Sequence, residues 1–326
     1  VRFVKAVYQR VPGLKPTWRW VRGTVVGAFQ AMARRFWLFA ERHPSVNPRF
    51  IERRLVNRFS RRPVVSAAGS AVVSGTTHGD RIGSAHFAIE SIAAGRELPR
   101  RLILWLDDPA AMADLPKSLR RLQARGLEIL PSENYGVHTK FYPYVKSVAR
   151  HEQPVVTYDD DLIYPEYWLA NLLEESRRTP DMIVVYRSHV IEVDGDVLAP
   201  YQTWRPCQST EPSLLNFCTA VSGQVLPTVI LNELKALGEG FREVAPKADD
   251  IWVHSVAVRL EVPVRQVSEI PLLFPFVPGT QEESLYYENV FAGGNDVQIA
   301  AAYGPAEVEK LRGLSADRLA WNSKAE

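Results

Sequence analysis

The stretch VVTYDDDLIYPEYW, Val155–Trp168, decides how this chain is read. A run of strand-forming residues leads straight into three consecutive carboxylates, Asp159, Asp160 and Asp161. Adjacent negative charges repel, and Asp is a poor strand former. A soluble core gains nothing from such a tip, so the pattern predicts a cationic partner. Carboxylates spaced i, i+2 in a loop can face one hard divalent ion. Mn²⁺ and Mg²⁺ suit such oxygen sites, keep several waters and bind phosphates as well. Asp159 and Asp161 are the natural metal pair, with Asp160 able to hydrogen-bond elsewhere. Solvated turns also carry Asp triplets; the strand before this one and the YPEYW after it favour the metal.

Outward from the triplet, strands alternate with helices. Strands are predicted at Ala71–Gly75, Leu102–Leu106, Leu127–Leu130, Val155–Tyr158 and Met182–Tyr186. Helices are predicted at Ser84–Ala94, Pro116–Arg125 and Lys140–Arg150, and over YWLANLLEESRR, with Pro165 at the favoured first turn. The alternation implies an α/β fold, a mostly parallel sheet flanked by helices. Ligands of such sheets bind beyond the carboxyl ends of the strands, where the triplet lies. Further on, Val190–Ala199 reads as a hairpin turning at Asp194-Gly195. A Pro- and aromatic-rich loop follows, and then PKADDIWVHSVAVRL, in which Asp249 and Asp250 open a helix.

Both of these acids gain from the helix dipole, and one can cap free N–H groups. Two exceed what capping needs. The pair is the predicted catalytic base for a hydroxyl, with Asp250 ahead of Asp249. His254 lies one turn on, on the face of Asp250, as a candidate metal or phosphate ligand; the alternative is a packed surface histidine. The loop TTHGDR puts Thr76, Thr77 and Arg81 at a strand end, with Arg81 suited to a phosphate. Its plainer reading is a polar turn bent by Gly79. Lys140 is a candidate diphosphate contact or a solvated helix-start residue. Tyr201–Trp204 and Tyr286–Tyr287 are candidates for stacking on sugar rings, with core packing as the alternative.

The chain of 326 residues, 46% hydrophobic and 23% charged, has ordinary globular composition rather than that of a disordered or fibrous protein. No apolar run is long enough to span a bilayer, and no secretory signal is read, so a cytoplasmic location is expected. Cys207 and Cys218 are too few for a disulfide scaffold and are expected to be reduced thiols. No Cys/His spacing suits zinc. The net charge of +2 hides an asymmetry: residues 1–62 hold 15 Lys and Arg against 2 Asp and Glu, leaving 24 basic and 35 acidic residues for 63–326. The first segment is therefore read as a basic helical N-terminal extension of a catalytic domain over 63–326. Within it Gly27–His43 predicts a helix with Phe29, Met32, Phe36 and Phe39 on one side. Such helices lie on anionic membrane surfaces or pack on the main domain. Nucleic acid is not an expected partner, because no recognition motif accompanies the charge.

The segments AIESIAAGRELPRRLILWL, LPKSLRRLQARGLEI, VVTYDDDLIYPEYWLANLL and KADDIW, in this order, resemble a bacterial glycosyltransferase of the GT-A fold. The likeness is to families that use nucleotide sugars to build cell-surface polysaccharides, and it spans about Ala71 to Asp296. It implies a GT-A-like domain with a DxD motif, Mn²⁺ or Mg²⁺ as cofactor, a nucleotide-sugar donor and a saccharide acceptor, with hexosyl transfer. By the same likeness Thr76, Thr77 and Arg81 lie near the base or ribose, with Lys140, Asp159 and Asp160 among the donor-binding residues. Asp161 binds the metal, and Asp249 or Asp250 faces the acceptor hydroxyl. Asn295 and Asp296 sit on a segment folding back over the donor. Two other readings stay open. A haloacid-dehalogenase-type phosphohydrolase shares the hydrophobic-strand–DxD pattern but expects Thr or Val where Ile163 stands. A non-catalytic sugar- or nucleotide-binding module would keep the pocket without turnover.

Overall fold

Short runs rich in Val, Ile and Leu, apolar on both sides, are what a sheet buried between two helical layers requires. The computed structural model describes residues 47–281 and 287–325, with side chains through Ala316. The chain divides into two units, Val1–Glu52 and Arg53–Glu326; the predicted helix at Gly27–His43 and Tyr286 lie outside the described residues. Helix α1 (Pro48–Phe59) leads into β1 (Val72–Thr76), α2 (His86–Ala93), β2 (Arg101–Leu106), α3 (Pro109–Ala113), α4 (Lys117–Gln123) and β3 (Leu127–Pro131). Helix α5 (Tyr142–Ser147), β4 (Val155–Thr157), α6 (Trp168–Arg178) and β5 (Ile183–Val185) continue the alternation. There follow β6 (Ser188–Val190), β7 (Val193–Asp194), β8 (Val197–Leu198), β9 (Arg205–Pro206), β10 (Asn216–Cys218) and β11 (Gln224–Leu226). Helices α7 (Thr228–Leu237), α8 (Phe241–Val244) and α9 (Asp249–Leu260), strand β12 (Val264–Gln266), and helices α10 (Gly294–Ala302) and α11 (Pro305–Ala325) complete it.

The main sheet has seven strands in the order β12-β5-β11-β4-β1-β2-β3. All pairs are parallel except those of β11, which runs antiparallel to β4 and β5. The mostly parallel, helix-flanked sheet expected from the sequence is thus present, with one reversed strand near its centre. The period of two along each strand separates two cores. Val72, Ile103, Val155, Val185 and Leu226 face α5, α7 and α9. Val73, Leu102, Val156, Val184 and Val225 face α2, α4 and α6. The hairpin at Asp194-Gly195 forms as β7 and β8, with Gly195 at φ 59°.

Two glycines serve close approaches. A Cβ on Gly75 would lie 2.5 Å from the Tyr158 ring, and one on Gly223 would lie 2.7 Å from Trp168 Nε1. The expected helix over Lys140–Arg150 is shorter. Gly136–Lys140 form a 3₁₀ turn, and α5 starts only at Tyr142, with Pro143 in its first turn. The reason is a long-range contact: Ser74 Oγ on β1 donates to the Lys140 carbonyl at 2.7 Å, taking up an oxygen that a continuing helix would have bonded.

The part of α1 from Arg53 onward packs on the domain through polar contacts. Asn57 Nδ2 donates to Glu90 Oε1 at 3.0 Å, and Arg121 Nε donates to Asn57 Oδ1 at 2.9 Å. Glu90, 1% exposed, also receives Arg125 Nη1 at 2.5 Å, while Arg125 Nε holds the Arg62 carbonyl. No described helix is long and apolar enough to cross a membrane. Breaking a buried ion pair leaves an uncompensated charge, so Arg125→Met should lower the unfolding free energy by about 3–5 kcal/mol. Urea titration reads this, and adding Glu90→Leu should recover most of the loss.

Candidate functional site

The sheet's period of two also divides the acidic triplet. Asp159 follows Thr157 by two residues and emerges on the α9 side. Lys140 Nζ donates to its Oδ1 at 2.9 Å. Asp160, one residue on, turns to the α2 side. There Thr77 Oγ1 donates to its Oδ2 at 2.5 Å, and Arg81 Nη1 lies 3.4 Å from Oδ1. Asp161 Oδ2 accepts from Arg81 Nη1 at 3.1 Å and from Gln281 Nε2 at 2.8 Å. Segment 275–281 runs along the triplet, with the amides of Ile163 and Val277 bonded to Pro275 O and Asp161 O. Tyr164 fixes the turn from below, its hydroxyl accepting the Asp159 amide at 2.8 Å.

Lys140 joins this strand end to the start of α9. Its ammonium lies 2.9 Å from Asp159 and 3.3 Å from Asp249 Oδ2, with 11% of the side chain exposed. Burial alone would lower its pKa, but the charges of Asp159 and Asp249 outweigh this and raise it, so it stays protonated. Its backbone is clamped as well, since Ser74 Oγ, bonded to Lys140 O, accepts from Trp105 Nε1 at 3.0 Å. Asp250 lies beside Asp249. Burial and the Asp249 charge push its carboxyl up to about 7, against Lys140 and the Ile251 amide, which pull it down. Asp161 is raised to about 6 by burial and by Asp159 and Asp160, with Arg81 and Gln281 opposing. Asp160 is raised by burial too, with Arg81 and Thr77 opposing. His138 stands behind Lys140, stacked on Phe241 at 4.0 Å. Its Nε2–H donates to Ala245 O, and burial lowers its pKa to about 4.

The structure therefore brings together Thr77, Arg81, Lys140, Asp159, Asp160, Asp161, Asp249 and Asp250. Thr76 stays on β1, its hydroxyl donating to Trp105 O at 3.0 Å. His254 does not join them, which corrects its expected ligand role and its expected surface position. It is fully buried, with Nδ1 2.7 Å from the Tyr303 hydroxyl and the ring against Phe217. Burial lowers its pKa to about 4, opposed by the carbonyls of Leu214 and Asn216. The reason is that α9 is buried along most of its length, so the position one turn after Asp250 meets core and not cleft. Trp204, 4% exposed, packs on Phe217 and donates to Ala199 O, which corrects its sugar-stacking role. Asp296 accepts the Tyr201 amide at 2.7 Å, and no hydrogen bond links Asn295 or Asp296 to the acids among the described residues. Cys207 and Cys218 are free, buried thiols. Gln281 is a site neighbour that no local motif announced, whereas Tyr164 belongs to the YPEYW run after the triplet and His138 to the loop that carries Lys140.

Five carboxylates thus meet two cations, leaving an excess of negative charge at the strand ends. Asp159 Oδ2 and Asp161 Oδ1 accept no hydrogen bond among the described residues. No three His, Cys, Asp or Glu side chains form a ready cage among those residues. The donor set fits a hard divalent ion that takes two carboxylate oxygens and completes its shell with water and phosphate. Two surface clefts lie elsewhere, one of about 300 Å³ beside Arg62 and Gly95 and one of about 370 Å³ beside Leu214 and Lys310, and no site carboxylate lines either.

Two solved structures are similar to the chain. A CMP:2-keto-3-deoxy-manno-octonic acid synthetase complexed with CTP is 10% identical, with TM-score 0.41, over 70% of this chain and 99% of that one. Residues 1–349 of S. aureus TarS are 12% identical, with TM-score 0.43, over 74% of this chain and 69% of that one. No protein-family profile matches the chain, and no curated protein sequence does. Likeness at this level carries no chemistry, which has to come from the side chains themselves.

Removing the Lys140 ammonium would leave Asp159 and Asp249 facing each other unpaired. Lys140→Met is expected to cost about 3–5 kcal/mol of stability at pH 8. At pH 5, where Asp161 and Asp250 are mostly protonated and the cluster carries less negative charge, the loss should be smaller. Urea melts at the two pH values check this.

Proposed function

We propose that this protein is a metal-dependent glycosyltransferase that moves a sugar from a nucleoside-diphosphate sugar to a saccharide hydroxyl, in the assembly of cell-envelope polysaccharide. The observation carrying this reading is the pairing of an under-neutralised carboxylate tip, Asp159–Asp161, with a second acidic pair whose Asp250 is held near pH 7. Asp159 and Asp161 would hold Mn²⁺ or Mg²⁺, which when bound neutralises charge on a diphosphate. Arg81 and Lys140 would supply positive charge to the same group. Thr77, bonded to Asp160, would keep that carboxylate from joining the ion.

Asp249 and Asp250 divide the remaining work. Asp249 is paired with the Lys140 ammonium at 3.3 Å. Asp250, raised by burial and by Asp249, is the better proton acceptor at neutral pH. The acceptor oxygen attacks the anomeric carbon, its proton passes to Asp250, and the bond from that carbon to the diphosphate oxygen breaks. The nucleoside diphosphate leaves with that electron pair. A direct displacement of this kind needs one base and inverts the anomeric centre. A phosphohydrolase reading is weaker, because Ile163 stands where that reading expects Thr or Val. For the basic segment we retain a peripheral contact with anionic membrane. Deleting residues 1–46 should then release the protein from vesicles containing phosphatidylserine in a sedimentation assay, and a full-length chain that never sediments removes the idea.

Sugar-nucleotide consumption should require an acceptor, stop with EDTA and return with Mn²⁺. Titration calorimetry should show Asp161→Asn losing metal-dependent donor binding. Asp250 must be deprotonated to act, so kcat should rise with pH through a single ionisation near 7. Asp250→Asn should cut kcat by roughly a hundredfold or more and flatten that limb, with donor affinity nearly unchanged. If Asp249→Asn alone does so, the two roles are exchanged.

A further inference from the structure

Beneath the ion cluster the main sheet carries a band of polar side chains where a buried sheet would ordinarily be apolar. Strand register places Ile103, Ser74, Thr157, Gln224, Val185 and Gln266 side by side across six strands. They share the face that looks toward α9, since Ile103 and Val185 belong to that core. The polar members Ser74, Thr157, Gln224 and Gln266 are each no more than 1% exposed. The outer two are satisfied. Ser74 bonds Trp105 and Lys140, and Gln266 bonds Ser188, Cys207 and Ser268.

The central two are not. Neither Thr157 Oγ1 nor either amide atom of Gln224 has a hydrogen-bond partner among the described residues. Buried polar groups are nearly always paired, and an unpaired amide destabilises the fold, so each exception calls for a cause. The place supplies one. Thr157 is two residues before Asp159 on the same face. Its lateral neighbour Ser74 anchors the backbone of Lys140, whose ammonium bridges Asp159 and Asp249. Thr157 therefore lies one pleat before Asp159 on the same face, with Gln224 as its lateral neighbour on β11.

A second observation concerns how Gln224 gets there. It is the first residue of the one reversed strand, and the chain enters it through Ser222 at φ 75° and Gly223 at φ 95°. A non-glycine residue in the left-handed region costs energy and persists only when its surroundings hold it. Here the Ser222 carbonyl accepts Trp168 Nε1 at 2.8 Å, and its hydroxyl accepts the Phe274 amide. The strained turn is thus locked from two sides, and it presents an amide that offers both donor and acceptor.

We infer that Thr157 and Gln224 bind hydroxyls of the donor's sugar ring and set which sugar is accepted. This rests on the proposed donor class and deepens it. The chemistry matches: a ring bearing adjacent hydroxyls needs donors and acceptors together, as one amide and one hydroxyl provide. A site built to hydrogen-bond a hydroxyl rejects an epimer that misplaces it, because its own polar groups are then left unpaired. Entry of the ring requires Lys140 to leave its bridge between Asp159 and Asp249, which joins sugar recognition to the metal and base halves.

The test uses the full chain with Mn²⁺ and titration calorimetry. The probes are UDP-glucose against UDP-galactose and GDP-glucose against GDP-mannose, with UDP and GDP alone as controls. Wild type should prefer one member of a pair. Gln224→Leu and Thr157→Val should each reduce that preference by roughly tenfold, the equivalent of one hydrogen bond. Affinity for the free nucleoside diphosphate should stay within about twofold, and Tm should hold or rise, since an unpaired polar group has been removed. Preference retained in both variants overturns the inference while leaving the transferase reading intact, and so does a wild type that binds the diphosphate but discriminates between no epimers. A fall in Tm with selectivity unchanged assigns the pair to internal structure and overturns it equally. If wild type binds neither sugar nucleotide nor diphosphate, the donor reading falls and takes this inference with it.

Discussion

Excess negative charge at the carboxyl ends of β1 and β4 is the constraint around which the rest of the molecule is arranged. Asp159, Asp160, Asp161, Asp249 and Asp250 are held close together with only Arg81 and Lys140 to offset them. Burial and mutual repulsion raise the carboxyl pKa values of Asp160, Asp161 and Asp250, so the folded chain loses stability as pH climbs from the ordinary carboxyl range up to the folded values near 6 and 7 of Asp161 and Asp250. Below the ordinary carboxyl range that penalty vanishes. A fold maintains such a feature by drawing on stability elsewhere, and here the two apolar cores on the faces of the sheet are the source.

The alternation of the sheet turns this charge into a division of labour. One face receives Asp159 with Lys140 and, across the bridge, the start of α9. The other receives Asp160 with Thr77 and Arg81. Groups suited to holding a diphosphate and groups suited to accepting a proton are thereby kept on either side of a single lysine. Its four-carbon stem can release both carboxylates at once, which an arginine forked onto one partner does less readily.

Much of this could be read along the chain because the informative features are local. A strand ending in consecutive acids, an acidic pair opening a helix and an Asp-Gly turn each announce themselves within a few residues. What could not be read depends on contacts between distant segments. Gln281 reaches Asp161 from a Pro- and Gly-rich run with no periodicity. His254 has the spacing of a ligand, but its helix is surrounded by Phe217, Tyr303 and the sheet, and helical spacing cannot distinguish a cleft-facing turn from a core-facing one. Trp204 was similarly ambiguous: an aromatic in a loop is as much a plug for a small antiparallel sheet as a platform for a ring. The reversal of β11 had no signature at all, since a three-residue strand reads the same in either direction.

That reversal is what makes the centre of the sheet usable. A parallel strand in the same place would arrive at the site with its last residue and leave through a loop, as β4 does. The reversed strand instead begins there, so its first side chain is set by the turn before it and by β4 and β5 on either side. Gln224 consequently has almost no freedom to relax toward a partner of its own. A mobile side chain could satisfy its amide on a nearby carbonyl; one fixed by Ser222, Gly223 and two neighbouring strands cannot. The same rigidity that leaves the amide unpaired in the folded chain is what a group needs in order to distinguish one ring hydroxyl from its epimer.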